Sequence, residues 1–169
     1  KLLCEMKGSV SPARARALAL AAIRETFEEA GLVIGAAGAP PPQAADIAGW
    51  SAFFGTGHVP QLSSLRFFAR AITPPGRTRR YDTRFFYTDA EAIALRTDIM
   101  DGELSGLHWI TVDDARDMAL PTITRVVLED LIDHISAHGM DAPASRVPYY
   151  HHFRGSFRRD LLPREPGKP

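Results

Sequence analysis

Cysteine is nearly absent from this 169-residue chain, and long hydrophobic runs are absent altogether. Cys4 is the only cysteine, which excludes an internal disulfide and a cysteine-rich zinc site. No apolar stretch approaches the roughly 20 residues that a helix needs to cross a bilayer. Together these absences predict a cytoplasmic protein without a membrane partner. The chain begins at Lys1 rather than at a methionine, so the native N-terminus is expected to lie upstream.

Net charge is lacking as well, because 20 Lys and Arg residues balance 20 Asp and Glu residues. A neutral chain has no general attraction for polyanions, so we predict no nucleic-acid partner. The charges are nevertheless unevenly distributed. Residues 66–84 contain six arginines and one aspartate, whereas residues 89–117 contain eight acids and two arginines. This layout suits a site with a basic rim and an acidic side.

One segment carries a complete set of helix signals. Ser11 and Pro12 are typical of an N-cap and a first helical turn, and Gly31 is typical of a helix C-terminus. Several residues between them share one arc at 100° per residue, which predicts a buried face. These residues are Ala19, Ala22, Ile23, Thr26, Phe27 and Ala30.

The rest of the chain shows strand and helix patterns separated by turn signals. Strands are predicted at residues 65–72, 83–88 and 107–112, helices at 89–95, 113–118 and 122–138, and a loop at 36–49. The segment after Gly139 is rich in proline and arginine, and we interpret residues 141–169 as an irregular tail. Its aromatic and basic residues are expected to pack over the domain or to form a homodimer contact. The order of elements predicts an α+β fold with one domain over residues 1–140.

Three carboxylates crowd the end of the first predicted helix. Glu25, Glu28 and Glu29 lie three or four residues apart, so they project from one side of the helix, beside its apolar face. Like charges at these spacings destabilise a helix, and anions are disfavoured near its C-terminus. A bound divalent cation would offset both effects, and Mg²⁺ prefers oxygen ligands such as these. The alternative interpretation is a solvated acidic helix face, which is common on surface helices.

The residues around this cluster resemble a known family. Arg24-Glu25-Thr26-x-Glu28-Glu29-x-Gly31-Leu32 is similar to the second half of the Nudix box, which is written R-E-U-x-E-E-x-G-U with U a bulky apolar residue. The resemblance implies a Nudix-type α/β/α sandwich with a mixed sheet and a catalytic helix ending near residue 31. It also implies that Glu25, Glu28 and Glu29 bind Mg²⁺ or Mn²⁺ and that Arg24 orients a carboxylate. The implied reaction is attack of water on a nucleoside diphosphate linked to another moiety.

The first half of the box is missing at its usual spacing. It would place glycine at position 10 and glutamate at position 16, where this chain has Val10 and Arg16. Two explanations stay open: a long insertion before the helix, or residues absent between the first few positions and Ser11. The N-terminal strand that the family fold needs is accordingly expected to be incomplete.

A downstream segment narrows the resemblance to one branch of the family. Residues 79–86, RRYDTRFF, are similar to the R-R-F-D-T-x-F-F strand of a long-insertion branch that includes coenzyme A and acyl-coenzyme A diphosphatases. By that resemblance the expected substrate is coenzyme A or an acyl derivative, with ADP-ribose or a dinucleotide as the alternative. Arg80 and Arg84 are candidate phosphate-binding residues, because arginine offers bidentate geometry to phosphate. Glu103 is a candidate water-activating base.

A rival interpretation is a Nudix-fold module that binds a nucleotide without cleaving it. The altered upstream box favours that module, whereas the intact Arg24-Glu25 and Glu28-Glu29 pairs favour an enzyme. Metal-linked stability separates the two, since a ligand that binds only the folded state adds stability by mass action.

Overall fold

The computed structural model describes residues 11–42, 44, 47–97, 108–144 and 146–163. These ranges contain four α-helices, namely α1 (Pro12–Ala30), α2 (Ser51–Gly55), α3 (Val112–Asp117) and α4 (Thr122–His138). They also contain seven strands: β1 (Leu32–Ala37), β2 (His58–Pro60), β3 (Arg66–Ile72), β4 (Asp82–Tyr87), β5 (Ile93–Arg96), β6 (Arg146–Phe153) and β7 (Ser156–Pro163). The predicted α+β class is therefore confirmed.

The strands form two sheets. The smaller sheet has the order β2-β1-β5 and is antiparallel, and the larger has the order β4-β3-β6-β7. Within the larger sheet only the β3–β6 pair is parallel, so this sheet is mixed. Helix α1 lies against one face of the larger sheet, where Ala15 packs with Phe67 and Val147. Helix α4 lies against the other face, where Val127 packs with Phe68 and Ala69.

Helix α1 has the predicted bounds because both of its ends are specified locally. The Ser11 side chain accepts a hydrogen bond from the Arg14 amide at 3.3 Å, and Pro12 occupies the first turn. At the other end Gly31 takes a left-handed conformation with φ 65°, and its N–H donates to the Phe27 carbonyl at 2.9 Å. A Cβ at Gly31 would lie 2.5 Å from the Thr97 carbonyl oxygen, so this close crossing requires glycine. The glutamates of α1 are thereby held in the helical turns just before β1.

The predicted apolar face of α1 is confirmed at its centre. Ala19, Ile23 and Phe27 are buried, and Ala22, Thr26 and Ala30 are half-buried at the margins. The Phe27 ring meets the Phe53 ring of α2 edge to face, with centroids 5.3 Å apart. This contact packs the end of α1 against α2.

The structure also confirms strands β3 and β4 and helices α3 and α4 within a residue of their predicted bounds. The predicted strand at 107–112 is wrong for the residues described. Thr111 is an N-cap that accepts from the Asp114 amide, and Asp114 accepts from the Thr111 amide in return, so a capping box starts α3 at Val112. The apolar run before it is not paired, and Trp109 is 66% exposed.

Two shorter predictions also need correction. Residues 89–95 were predicted as a helix, but only Ala90–Ala92 form a 3-10 turn, and β5 follows to pair with β1. The predicted loop at 36–49 starts two residues later, because β1 continues to Ala37. In both cases pairing with a neighbouring strand decides the local conformation.

The irregular tail predicted after residue 140 is wrong over 146–163, where β6 and β7 form a hairpin. Arg154 and Gly155 both have positive φ, at 49° and 79°, which is the geometry of a two-residue hairpin turn that suits twisted strands. Val147 and Tyr150 are buried, and the Tyr150 hydroxyl donates to Asp130 of α4. The hairpin is therefore part of the larger sheet and its core.

Candidate active site

The second half of α1 carries an arginine between two of the predicted ligands. Arg24 Nη2 lies 2.6 Å from Glu25 Oε1, and Arg24 Nε lies 3.4 Å from Glu28 Oε1. The hydrogen bond to Glu25 raises the pKa of Arg24 above its ordinary value, against the smaller opposite effect of burial. Gly49, with φ 83°, packs over this group so closely that a Cβ there would lie 3.4 Å from Arg24 Nη1. Arg24 is thus placed to orient both carboxylates, the role that the sequence resemblance implies.

Glu29 follows Glu25 by one helical turn and is the glutamate that reaches a cavity. Together with Ala22 and Thr26 it lines a cavity of about 590 Å³. Other lining residues come from β4 and the segment after it, including Arg84 and Phe86. A cavity of this size is within the range of small-molecule sites. The structure therefore brings Glu29 to a cavity that Glu25 and Glu28 do not line.

Arg84 is the basic residue that the structure places in this cavity. Its side chain is only 6% exposed, and its Nη1 lies 2.9 Å from Asp82 Oδ1. Its Nε–H has no hydrogen-bond partner in the described part of the chain. Buried N–H groups are nearly always satisfied, so this donor is available to an acceptor on a ligand. The cavity thus combines a carboxylate on one wall with a buried guanidinium on the other.

Asp82 holds Arg84 in place and is a residue that sequence reasoning missed. Arg70 of β3 donates two hydrogen bonds to the Asp82 carboxylate, at 2.7 and 2.8 Å, while Arg84 contacts the same group. Burial raises the Asp82 pKa, but the hydrogen bonds and charges of Arg70 and Arg84 outweigh it, so the pKa is below its ordinary value. The available signal was the two-residue spacing of Asp82 and Arg84, which puts both side chains on one face of a strand.

Replacing Asp82 with asparagine is expected to lower the free energy of unfolding at pH 7 by about 1–2 kcal/mol, since the carboxylate is partly exposed and solvent weakens its ion pairs. Because the folded-state pKa is depressed below 3.8, this stabilisation is complete above that pH and is lost as the pH falls through the folded-state value. Urea unfolding at pH 7 and pH 3 measures the difference, with the exposed Asp117→Asn as control. An equal loss at both pH values would contradict the ion-pair explanation.

Two other predicted site residues remain. Arg80 is exposed and donates its Nε–H to the Thr73 carbonyl at 3.4 Å, at the end of the β3–β4 hairpin, and it does not line the cavity. Glu103 falls at 98–107, outside the described residues. Trp109, by contrast, lines the cavity with a largely exposed indole ring, which offers a stacking surface to a flat ligand.

The predicted metal ligands do not meet at one point. Nowhere in the described ranges do three or more His, Cys, Asp or Glu side chains form a group that could hold a metal ion. Glu25 and Glu28 flank Arg24, whereas Glu29 faces the cavity. Mg²⁺ is commonly held by one or two carboxylates together with water and substrate phosphates. The Glu29 carboxylate, which lines the cavity, fits that arrangement, in which the cation is shared with a phosphate ligand, whereas Glu28 pairs with Arg24.

No family model matches the chain, and no curated protein or solved structure compared with it matches either. Among the helices of the described residues, none is long and apolar enough to cross a membrane. The residues of the cavity and the Arg24–Leu32 motif are therefore the features that bear on function.

Proposed function

We propose that this protein is a Nudix-type pyrophosphohydrolase that cleaves a nucleoside diphosphate linked to another moiety with the help of Mg²⁺ or Mn²⁺. Coenzyme A or an acyl-coenzyme A is the preferred substrate, and ADP-ribose or a dinucleotide is the alternative. The support for the family is the Arg24–Leu32 motif on a helix that ends in glycine. The support for the branch is the RRYDTRFF segment, whose last five residues belong to β4.

The observation that carries the proposal is that Glu29 and Arg84 line the same cavity. A diphosphate with a divalent cation presents both charges, an anionic phosphoryl group and a cationic metal. Arg84 offers a buried, unused N–H to a phosphoryl oxygen, and Glu29 offers a carboxylate to the cation. A solvated acidic helix face would require no buried guanidinium opposite it.

In the proposed reaction the oxygen of a water molecule forms a bond to one phosphorus, and the bond from that phosphorus to the bridging oxygen breaks. The proton of the water passes to a carboxylate, for which Glu25, Glu29 and Glu103 are the candidates. When bound, Mg²⁺ or Mn²⁺ would neutralise charge that develops on the phosphoryl oxygens. Arg24 fixes the positions of Glu25 and Glu28, and Arg84 binds and orients the diphosphate. Arg80 contacts substrate only if its exposed loop side chain turns toward the cavity.

Product analysis by chromatography tests this function. The protein is incubated with Mg²⁺ or Mn²⁺ and with coenzyme A, acyl-coenzyme A, ADP-ribose, NADH or diadenosine polyphosphates. We expect release of 3′,5′-ADP and a phosphopantetheine, lost in Glu28→Gln and retained in Asp133→Asn, which changes an exposed acid on α4. AMP from ADP-ribose alone would keep the family and reject the branch. Absence of turnover on every substrate would reject the enzyme.

The second candidate is a nucleotide-binding module without hydrolytic activity. It is favoured by Arg24, which already pairs with both Glu25 and Glu28. Thermal unfolding with and without Mg²⁺ distinguishes the two candidates. A module that does not use these carboxylates should show little Mg²⁺-dependent stabilisation, whereas the enzyme should be stabilised and Glu28→Gln should not.

A further inference from the structure

A second cavity lies at the other end of β4, toward α4. Its volume is about 500 Å³, within the range of ligand sites. Half of its lining is apolar, contributed by β3 and the turn after it, β4, α4 and β7. These residues are Ala71, Ile72, Pro74, Phe85, Ile123 and Phe157. The proposed reaction does not use this cavity.

The hairpin β6–β7 supplies an aromatic wall to this cavity. The ring of Tyr150 stacks on Phe157 with centroids 6.2 Å apart and an angle of 12°, and His152 meets Phe157 edge to face at 5.6 Å. Tyr150 is 1% exposed and its hydroxyl is bonded to Asp130, so the 47% exposed ring of Phe157 is the aromatic surface that remains to meet a ligand. Such a wall favours an apolar ligand group.

The polar side chains that line the cavity are basic or neutral, and none is acidic. Arg77 and His152 are its basic residues, Thr73, Thr83 and Thr122 contribute hydroxyl groups, and no acid is among the residues that line it. Arg77 is exposed, in the turn between β3 and β4. This set complements a ligand whose apolar chain ends in an oxygen acceptor, such as a carboxylate or a thioester carbonyl.

Phe85 connects the cavity to the candidate active site, because it lines both. It lies on β4, which is the edge strand of the larger sheet. Residues of α1 line the first cavity and residues of α4 line the second, so the two cavities lie against opposite faces of this sheet. A ligand held by its diphosphate at Glu29 and Arg84 would pass around this edge strand to reach the second cavity. For an acyl-coenzyme A, the part that continues is the pantetheine arm and then the acyl chain.

We propose that the second cavity binds an aliphatic acyl chain, and that it is the acyl subsite of the substrate. The assignment to a substrate subsite rests on the proposed function, whereas binding of the chain itself does not. Each buried methylene group should raise the affinity about fourfold. The second cavity should therefore make the affinity for the substrate depend on the length of its acyl chain.

The first experiment measures binding without catalysis. Calorimetry of hexanoate, octanoate and decanoate with the full chain should show affinity that rises with chain length. Thr83→Trp, on an exposed position of an edge strand that tolerates aromatic residues, should narrow the cavity and weaken decanoate at least tenfold. Thr124→Trp, an exposed position of α4 that does not line the cavity, should leave decanoate affinity unchanged. Arg77→Ala, in the exposed turn, is the second variant and should weaken all three carboxylates.

The second experiment distinguishes the two possible sources of the acyl chain, an acyl-coenzyme A and a free carboxylate. The ratio of kcat/KM for decanoyl-coenzyme A to that for coenzyme A should exceed one, and Thr83→Trp should lower it about as much as it weakens decanoate. Decanoate binding without any coenzyme A hydrolysis would refute coenzyme A and its acyl derivatives as substrates and leave a site for free carboxylates. Coenzyme A hydrolysis without decanoate binding and without chain-length preference would overturn the acyl subsite alone.

Discussion

Glu29→Gln is expected to lower kcat/KM for the diphosphate substrate by about 100- to 1,000-fold. Glu29 is the one glutamate of the motif that lines the candidate active site, opposite Arg84. Glutamine keeps the size of the side chain but has neither the negative charge that holds a cation nor a group that can accept the proton of water. The loss should appear in kcat as well as in KM, because the charge acts on the transition state.

The same variant should not be less stable. Glu29 is exposed in the last turn of α1, where the helix dipole disfavours an anion and no basic residue compensates it. We therefore expect an unchanged or slightly higher Tm in thermal unfolding followed by circular dichroism. Asp133→Asn, the same acid-to-amide change on the exposed surface of α4, should keep full activity. Full activity of Glu29→Gln would show that the cavity is not the reaction site.

Val147→Asp is expected to lower the free energy of unfolding by about 3 kcal/mol or more, because it puts an unpaired charge in the core. Val147 is 2% exposed and packs with Ala15 of α1 and Phe67 of β3. A domain of this kind has a total stability of about 5–15 kcal/mol, so the loss would be a large part of it. Urea unfolding at neutral pH measures this change.

The neighbouring position provides the matched control for this effect. Arg146 begins the same strand but is exposed, so Arg146→Asp should change the stability by no more than about 0.5 kcal/mol. Equal behaviour of the two variants would mean that β6 does not belong to the core. In that case the hairpin would be the irregular tail that composition alone predicts.

The sequence by itself determined those features that depend on neighbours along the chain. Helix α1 is the main example, since Ser11, Pro12 and Gly31 act within a turn of themselves and the buried face follows from helical spacing. The placement of Glu25 and Glu28 beside Arg24 is equally local, because all three are on one helix. Local signals gave a wrong prediction where a strand signal and a helix-start signal overlapped. At 108–112 a β-branched and aromatic run predicted a strand, but the capping box of Thr111 and Asp114 starts a helix there.

Only the tertiary structure decided which charged residues meet. Arg80 and Arg84 are the same residue type four positions apart, yet strand β4 carries Arg84 to the cavity and leaves Arg80 exposed at the hairpin end. Glu29 on a helix and Arg84 on a strand line one cavity although they are 55 residues apart, and no pattern along the chain encodes that proximity. The same is true of the β6–β7 hairpin, whose turn is local but whose place in the sheet depends on pairing with β3. Such contacts form because burial of apolar faces brings distant elements together, and their charges then lie wherever that packing leaves them.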